Sequence, residues 1–324
     1  VKAVLCKQWG DPDSLVVEEV ESRPPGAGEV RLRVRACGVN FLDTLIIQGK
    51  YQVKPPLPFS PGVEIAGEVL DVGEGVTRPK PGARVLALAD WGGFAEEVTV
   101  PANRVLPIPP GMDFVTAAAF PTVYGTSHLA LSHRAHLQPG ETLLVTGAAG
   151  GVGLTAVEIG KLMGATVVAC ASTPEKLALA AQYGSDHGIL YTHESIRDRV
   201  KEITGGKGVN VVYDAVGGEY FDQCVRSLAW EGRLLVIGFA SGTIPQLPVN
   251  LTLVKNASVV GVYWGAYASK DPQTLNDSLE ALMGWYAEGK LKPHISQTFP
   301  LERAADAIWS LARRESTGKV VVTA

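Results

Sequence analysis

The stretch TLLVTGAAGGVGLTAVEIGKLMG, residues 142–164, constrains this chain more than any other. A short apolar run feeds directly into Gly147, Gly150 and Gly153, and a longer apolar run of helical character follows. Such a spacing has a physical use. One glycine allows the tight turn, one lets a pyrophosphate approach the backbone, and one lets the helix pack closely on the sheet. The helix N-terminus then offers free N–H groups and the positive end of its dipole. A glycine triplet alone is a weak signal; its place between a predicted strand and a predicted helix makes it a dinucleotide-binding one. Gly147, Ala149, Gly150, Gly151 and Val152 are the candidate phosphate contacts.

From Glu141 onward strands and helices alternate. TLLVTG, TVVACAS, HGILY, VNVVYDAV, RLLVIGFA and SVVGVYW read as strands, with helices between them. This alternation predicts a parallel, doubly wound sheet. Gly164, Gly184 and Gly232 are expected at helix ends. The first third of the chain differs. VKAVLC, SLVVEEV, EVRLRVRACGV, EIAGEVLDVG, ARVLALA and FAEEVTV are short runs fenced by Gly and Pro, which suggests a barrel-like or sandwich-like β-unit. From about Ala266 the chain reads as helical and closes with the strand KVVVT, consistent with a return to the first domain. The fold class is therefore α/β, with a β-rich domain over 1–121 and 266–324 and a cofactor domain over 122–265.

The composition excludes several classes. With 324 residues, 46% hydrophobic and a net charge of −4, the chain has material for a large core and no basic tract for nucleic acid. No segment approaches the roughly 20 apolar residues that span a bilayer, so no membrane partner is expected. VKAVLCKQWG does not read as a signal peptide, and the cytoplasm is the expected compartment. The four cysteines, Cys6, Cys37, Cys170 and Cys224, form no CxxC pair, so neither disulfides nor a four-cysteine zinc lobe is expected. His128, His133 and His136 read as a solvated helix end.

Cofactor choice is read at the end of the second strand of the cofactor domain. An NAD site usually places Asp or Glu there, about 20 residues beyond the glycines. Here Ala171 and Ser172 occupy that place, and Lys176 follows. A hydroxyl can donate to a 2′-phosphate that a carboxylate would repel, so the expected cofactor is NADPH.

Several motifs in order, ACGVNFLD, PGVEIAGEV, PGARV, AAAFPTVYGT, GAAGGVG, YDAVGG, WEGRLLVIGFASG and STGKVVV, resemble the medium-chain dehydrogenase/reductase superfamily. That resemblance covers the whole chain and implies a GroES-like β-rich catalytic domain joined to a Rossmann domain. Within the superfamily the chain is most similar to the zinc-free NADPH:quinone oxidoreductases. Where zinc alcohol dehydrogenases carry a catalytic Cys, a His and a second Cys, this chain has Asn40, Val63 and a position near Ala118. None of these side chains is a zinc ligand, and ADWGGFAEEV replaces the cysteine-rich structural lobe, so no metal is expected.

The resemblance also implies site roles. Asn40 would hydrogen-bond the nicotinamide ribose or the substrate. Asp43 would orient Asn40 or the cofactor rather than act as an acid; a purely structural, helix-capping carboxylate is the alternative. Tyr51 matches a tyrosine of the substrate pocket and could donate to a quinone oxygen. The chain departs from several members at Leu45, where they carry a further tyrosine, so the substrate range stays open. Thr122 matches a threonine near the nicotinamide. Tyr191 and Arg314 match positions that, with Lys176, hold the 2′-phosphate. Val216, Gly238 and Phe239 match strand ends at the nicotinamide, while Tyr263 and Trp264 either border the cleft or cover an interface. The apolar run SVVGVYW would pair with its copy in a homodimer.

Without a Lewis acid the acceptor must already be electrophilic. The expected activity is NADPH-dependent reduction of a quinone, a small-molecule substrate. An enone or enoyl-thioester reductase on the same scaffold is the alternative. A cofactor-binding structural or RNA-binding protein is the non-enzymatic one.

Overall fold

Strand Glu29–Val39 organises the N-terminal part of the chain. Val30, Leu32 and Val34 are buried while Arg33 and Arg35 are exposed, the alternation of a strand with one face on a core. From Ala36 to Val39 every residue is buried, so this end of the strand is enclosed on both faces. It pairs antiparallel with Glu64–Val72 on one side and with the C-terminal strand Lys319–Thr323 on the other. The full sheet runs Ile295–Pro300, Lys319–Thr323, Glu29–Val39, Glu64–Val72, Arg84–Leu88 and Val105–Pro107, with Glu97–Pro101 pairing the far half of the central strand.

In the computed structural model, which describes residues Val1–Ala324, the chain divides into two units. Val1–Thr122 with Pro293–Ala324 form the first, and Val123–Lys292 the second. The C-terminal return lies later than the expected residue 266. Residues 266–292 belong to the second unit because helix Pro272–Ala287 buries Leu275, Leu279 and Leu282 there. Ser278 Oγ on that helix lies 2.8 Å from His128 Nδ1, and Trp285 meets the His128 ring edge-on at 5.2 Å. His128 is therefore half-buried rather than solvated, and its burial lowers its pKa. His133 and His136 are exposed, as expected of a helix end.

The second unit is built on six parallel strands. Their spatial order is His187–Leu190, Thr166–Ala171, Thr142–Val145, Val209–Asp214, Leu228–Val236, Ser258–Gly261. Numbered along the chain this is 3-2-1-4-5-6, the doubly wound order, with its switch point between the Thr142–Val145 and Val209–Asp214 strands. Gly164 and Gly184 take positive φ after their helices, as expected. Gly232 does not end a helix. It lies inside strand Leu228–Val236, where the positive φ falls on Glu231 instead. No helix is long and apolar enough to cross a membrane.

Candidate functional site

Two polar constellations stand out, one in each unit. The first surrounds Asn40, the N-cap of helix Phe41–Ile46. Asp43, at the third helical position, accepts from the Asn40 backbone N–H at 2.8 Å and from Gly62 N–H at 3.1 Å. This is the capping and orienting role that a carboxylate three residues past an N-cap can fill. Asp43 is fully buried, and that desolvation lifts its pKa to about 6 despite the two N–H donors. The Cys37 thiol beside it is pushed far up by burial and so stays protonated and inert.

The Asn40 side chain turns the other way. Its amide nitrogen donates to Glu64 Oε2 at 3.1 Å and to Gly38 O at 3.3 Å, while its oxygen accepts from Lys319 Nζ at 2.8 Å. Lys319 also donates to Glu64 Oε2 at 2.9 Å and to Val39 O at 3.1 Å, which spends all three of its hydrogens. The second Glu64 oxygen accepts from Thr122 N–H at 2.7 Å. Glu64 has no exposed surface, and Lys319 is 4% exposed. Gly38 makes the arrangement sterically feasible: a Cβ there would lie 2.1 Å from Ala118 O and 2.7 Å from Glu64 Oε2.

Glu64 and Lys319 were not among the residues singled out from the sequence. A signal was available, since each is a charge at the first position of a strand and is followed there by apolar residues. Their meeting depends on sheet register, which pairs Gly38 with Glu64 and Val39 with Val320. Among the singled-out residues of this unit, Glu64 ties Asn40 to Thr122, and Asp43 joins them through the Asn40 backbone N–H. Thr122 Oγ1 is buried and has no hydrogen-bond partner. Tyr51 is half-buried against the core of the same unit. The structure narrows the hydrogen bonding open to Asn40. Both its N–H hydrogens are used internally, so toward a ligand it can only accept.

The second constellation lies along the carboxyl edge of the parallel sheet, where such sheets bind ligands. Gly147 has φ +61° and its carbonyl accepts from Gly150 N–H at 2.9 Å. Gly150 caps helix Gly151–Leu162. A Cβ on Gly153 would sit 2.1 Å from Gly147 O, so the first helical turn rests directly on the loop. The first N–H groups of this helix have no acceptor within it and point at any anion placed there. Asp214, unremarked in the sequence, ties the switch point together. Its Oδ1 accepts from Thr146 Oγ1 at 2.7 Å and from Val216 and Gly217 N–H at 3.1 Å each. Val216, Gly238 and Phe239 thus occupy neighbouring strand ends, with Phe239 Cδ1 3.1 Å from where a Gly217 Cβ would be.

Ser172 and Tyr191 follow adjacent strands, and Tyr191 N–H donates to Ala171 O at 3.3 Å. Lys176 is on helix Pro174–Gln182, capped by Thr173. These three form one corner of the second unit. Arg314 belongs to the first unit, exposed at φ +59° just past helix Ala304–Ala312. Tyr263 is exposed, whereas Trp264 packs on Gly125, whose absent Cβ would lie 2.8 Å from three indole atoms.

Comparison with known proteins gives the architecture its family. Residues 26–110 match the alcohol dehydrogenase GroES-like domain and residues 151–282 match the zinc-binding dehydrogenase family. Quinone oxidoreductase-like protein 2 homolog of Nematostella vectensis is 47% identical over 99% of this chain and 88% of its own length. The chain belongs to the quinone oxidoreductase-like family of the medium-chain dehydrogenase/reductase superfamily. Two solved members of that family superpose over its whole length. Pseudomonas syringae quinone oxidoreductase gives a TM-score of 0.92 at 33% identity, with 100% of this chain and 99% of that one covered. Escherichia coli quinone oxidoreductase complexed with NADPH gives 0.93 at 29% identity, with 100% of both chains covered.

The family contains zinc-binding members, and the donor set here does not suit that ion. No group of three or more His, Cys, Asp and Glu side chains is placed so that it could hold a metal ion. Asn40 and Glu64 share their oxygens with the Lys319 ammonium, which would repel a cation placed beside them. A nicotinamide dinucleotide, by contrast, suits what is present. Gly147 at φ +61° and the N-terminus of helix Gly151–Leu162 supply the backbone N–H groups that its phosphates need.

Proposed function

We propose that this protein is an NADPH-dependent quinone oxidoreductase that transfers hydride without a metal ion. The observation that carries this reading is the occupancy of the Asn40–Glu64 oxygens by the Lys319 ammonium. The chain has no means there of bringing a Lewis acid to an alcohol, so an electrophilic acceptor such as a quinone is the substrate class that fits.

Bound NADPH supplies the hydride. The loop from Gly147 to Val152 holds the pyrophosphate on the helix N-terminus. Ser172, Lys176 and Tyr191 take the 2′-phosphate, with Arg314 as a further candidate. The second strand ends at Ala171 and Ser172 follows, where an NAD site would usually place a carboxylate. Asn40 accepts a hydrogen bond from a ribose hydroxyl, the one role its spent N–H groups leave open. Thr122 contributes its hydroxyl at the nicotinamide, and Val216, Gly238 and Phe239 line the strand ends. Tyr51 donates to a quinone oxygen, where charge accumulates as hydride arrives.

Steady-state NADPH oxidation with benzo- and naphthoquinones, 2-enals and crotonyl-CoA tests the reading. Quinones are expected to be the turned-over class, with the rate unchanged after exhaustive chelation. Turnover of the thioester alone, or loss of activity on chelation, would refute it. NADPH is expected to bind more tightly than NADH. In Lys176→Ala, NADPH affinity should fall about tenfold, the loss of one charge-assisted hydrogen bond, with NADH affinity unmoved.

A second copy of this chain is the proposed partner. Strand Ser258–Gly261 is an edge of the six-stranded sheet. Nearby segments expose Trp230, Ile244, Val249, Leu253 and Val254, the last four at 74%, 70%, 79% and 61%. An open edge beside such apolar surface is a pairing liability in a lone chain. Light scattering is expected to show a dimer that Leu253→Glu converts to monomer; a wild-type monomer would remove this element.

A further inference from the structure

We propose that Glu64 and Lys319 are the positioning residues of the hydride-transfer site, a buried ion pair that fixes the Asn40 amide and the Thr122 backbone in one geometry. The inference rests on Asn40 and Thr122 contacting the nicotinamide end of the cofactor, as the proposed function has them.

A carboxylate offers about four acceptor positions, and Glu64 uses one oxygen for Lys319 and Asn40 and the other for Thr122. Lys319 in turn reaches the Asn40 oxygen, so the amide is gripped at both ends by opposite charges. An amide held in this way cannot flip, and its free lone pair keeps one direction. The same carboxylate tethers Thr122, so two expected cofactor contacts share a single anchor. A buried pair of this kind is seldom explained by stability, because well-packed apolar residues of similar volume often serve as well. Its retention at this place is accounted for by the orientation it imposes. Charge-assisted hydrogen bonds are also shorter and stiffer than neutral ones, which suits a group that must not move while a substrate reacts. The glycine loop and the Ser172–Lys176 corner lie in the second unit, so the pair should govern where the nicotinamide sits rather than how tightly the dinucleotide is held.

The decisive variant is the double replacement Glu64→Gln with Lys319→Met, which removes both charges of the pair together, so neither is left without the other. Two readings are taken on the full chain: the emission of bound NADPH, and quinone reduction at saturating NADPH. The emission is expected to move toward that of free NADPH. The rate should fall between about tenfold and a hundredfold, as for a misplaced reacting group. The dissociation constant for NADPH should change by no more than about threefold, because the phosphate contacts are intact. Wild-type emission together with a rate within about twofold of wild type would overturn the inference, since misplacement of a reacting group costs far more. If the double variant does not fold, Glu64→Gln alone decides. A glutamine has one acceptor oxygen and cannot serve both Lys319 and Thr122, so the same changes should appear in smaller degree, and their absence refutes the pair. Should the unmodified chain bind NADPH yet reduce no quinone, the proposed activity fails, and the emission measurement still decides the positioning role.

Discussion

Gly153→Ala is expected to weaken NADPH binding by about a hundredfold, roughly 2.7 kcal/mol. The new methyl would stand 2.1 Å from Gly147 O, 2.7 Å from Gly147 C and 3.0 Å from Ala148 Cα. All three are backbone atoms, so no side chain can swing aside to relieve the clash. The loop cannot easily retreat either. Gly147 O is already bonded to Gly150 N–H, and Ala148 N–H donates to Cys170 O on the neighbouring strand at 3.1 Å. The helix must therefore lift from the loop, carrying its first N–H groups away from the phosphate position. Fluorescence titration with NADPH checks this. Gly284→Ala is the control, because its methyl would meet nothing within 4 Å on helix Pro272–Ala287. There the exchange should raise stability by up to about 1 kcal/mol through helix propensity and leave affinity alone. Unchanged affinity in Gly153→Ala would mean that the loop does not hold the pyrophosphate.

The contrast between the two constellations explains how much of each was legible in the sequence. The phosphate loop is local. Its function depends on backbone geometry that only glycine permits, so Gly147, Gly150 and Gly153 announce it within seven residues. The alternation of strands and helices after Glu141 is equally local, and the parallel six-stranded sheet follows from it. The anchor of the other site is not local. Lys319 and Glu64 are 255 residues apart, and only the register of two strands against Glu29–Val39 brings them together. Periodicity cannot show a pairing of that kind. Asp214 was missed for a similar reason, since its acceptor role depends on Thr146 arriving from an adjacent strand. His128 was misjudged because its burial comes from Ser278 and Trp285 on a helix far along the chain. The same helix shifts the second domain boundary. Local backbone demands are written in residue type, whereas burial of a polar side chain is decided by partners remote in sequence.

Lys319→Met alone should be far more damaging to stability than the double replacement. Removing one partner of a buried pair leaves the other as an uncompensated charge, at a cost of about 3–5 kcal/mol. Here the charge left behind is the Glu64 carboxylate, which has no exposed surface and retains only Asn40 and Thr122 as donors. Val39 O and the Asn40 oxygen would lose the same donor. Asp43 beside the pair carries the pH dependence: desolvation holds its buried carboxyl at about 6 and the Lys319 charge partly offsets that, so losing Lys319 raises it further above the unfolded value of about 3.9, whereas losing Glu64 relieves it. A carboxylate with a raised folded pKa binds more protons folded than unfolded over that interval, so stability falls as pH rises through it. The deficit of Lys319→Met relative to wild type should thus be larger at pH 7 than at pH 5. Adding Glu64→Gln should recover most of it and flatten its pH dependence. Urea denaturation of the four chains at both pH values measures the cycle. If the single variant were as stable as wild type at pH 7, the ammonium would not be compensating a buried charge. The electrostatic account of the site would then fail, whatever its chemistry proves to be.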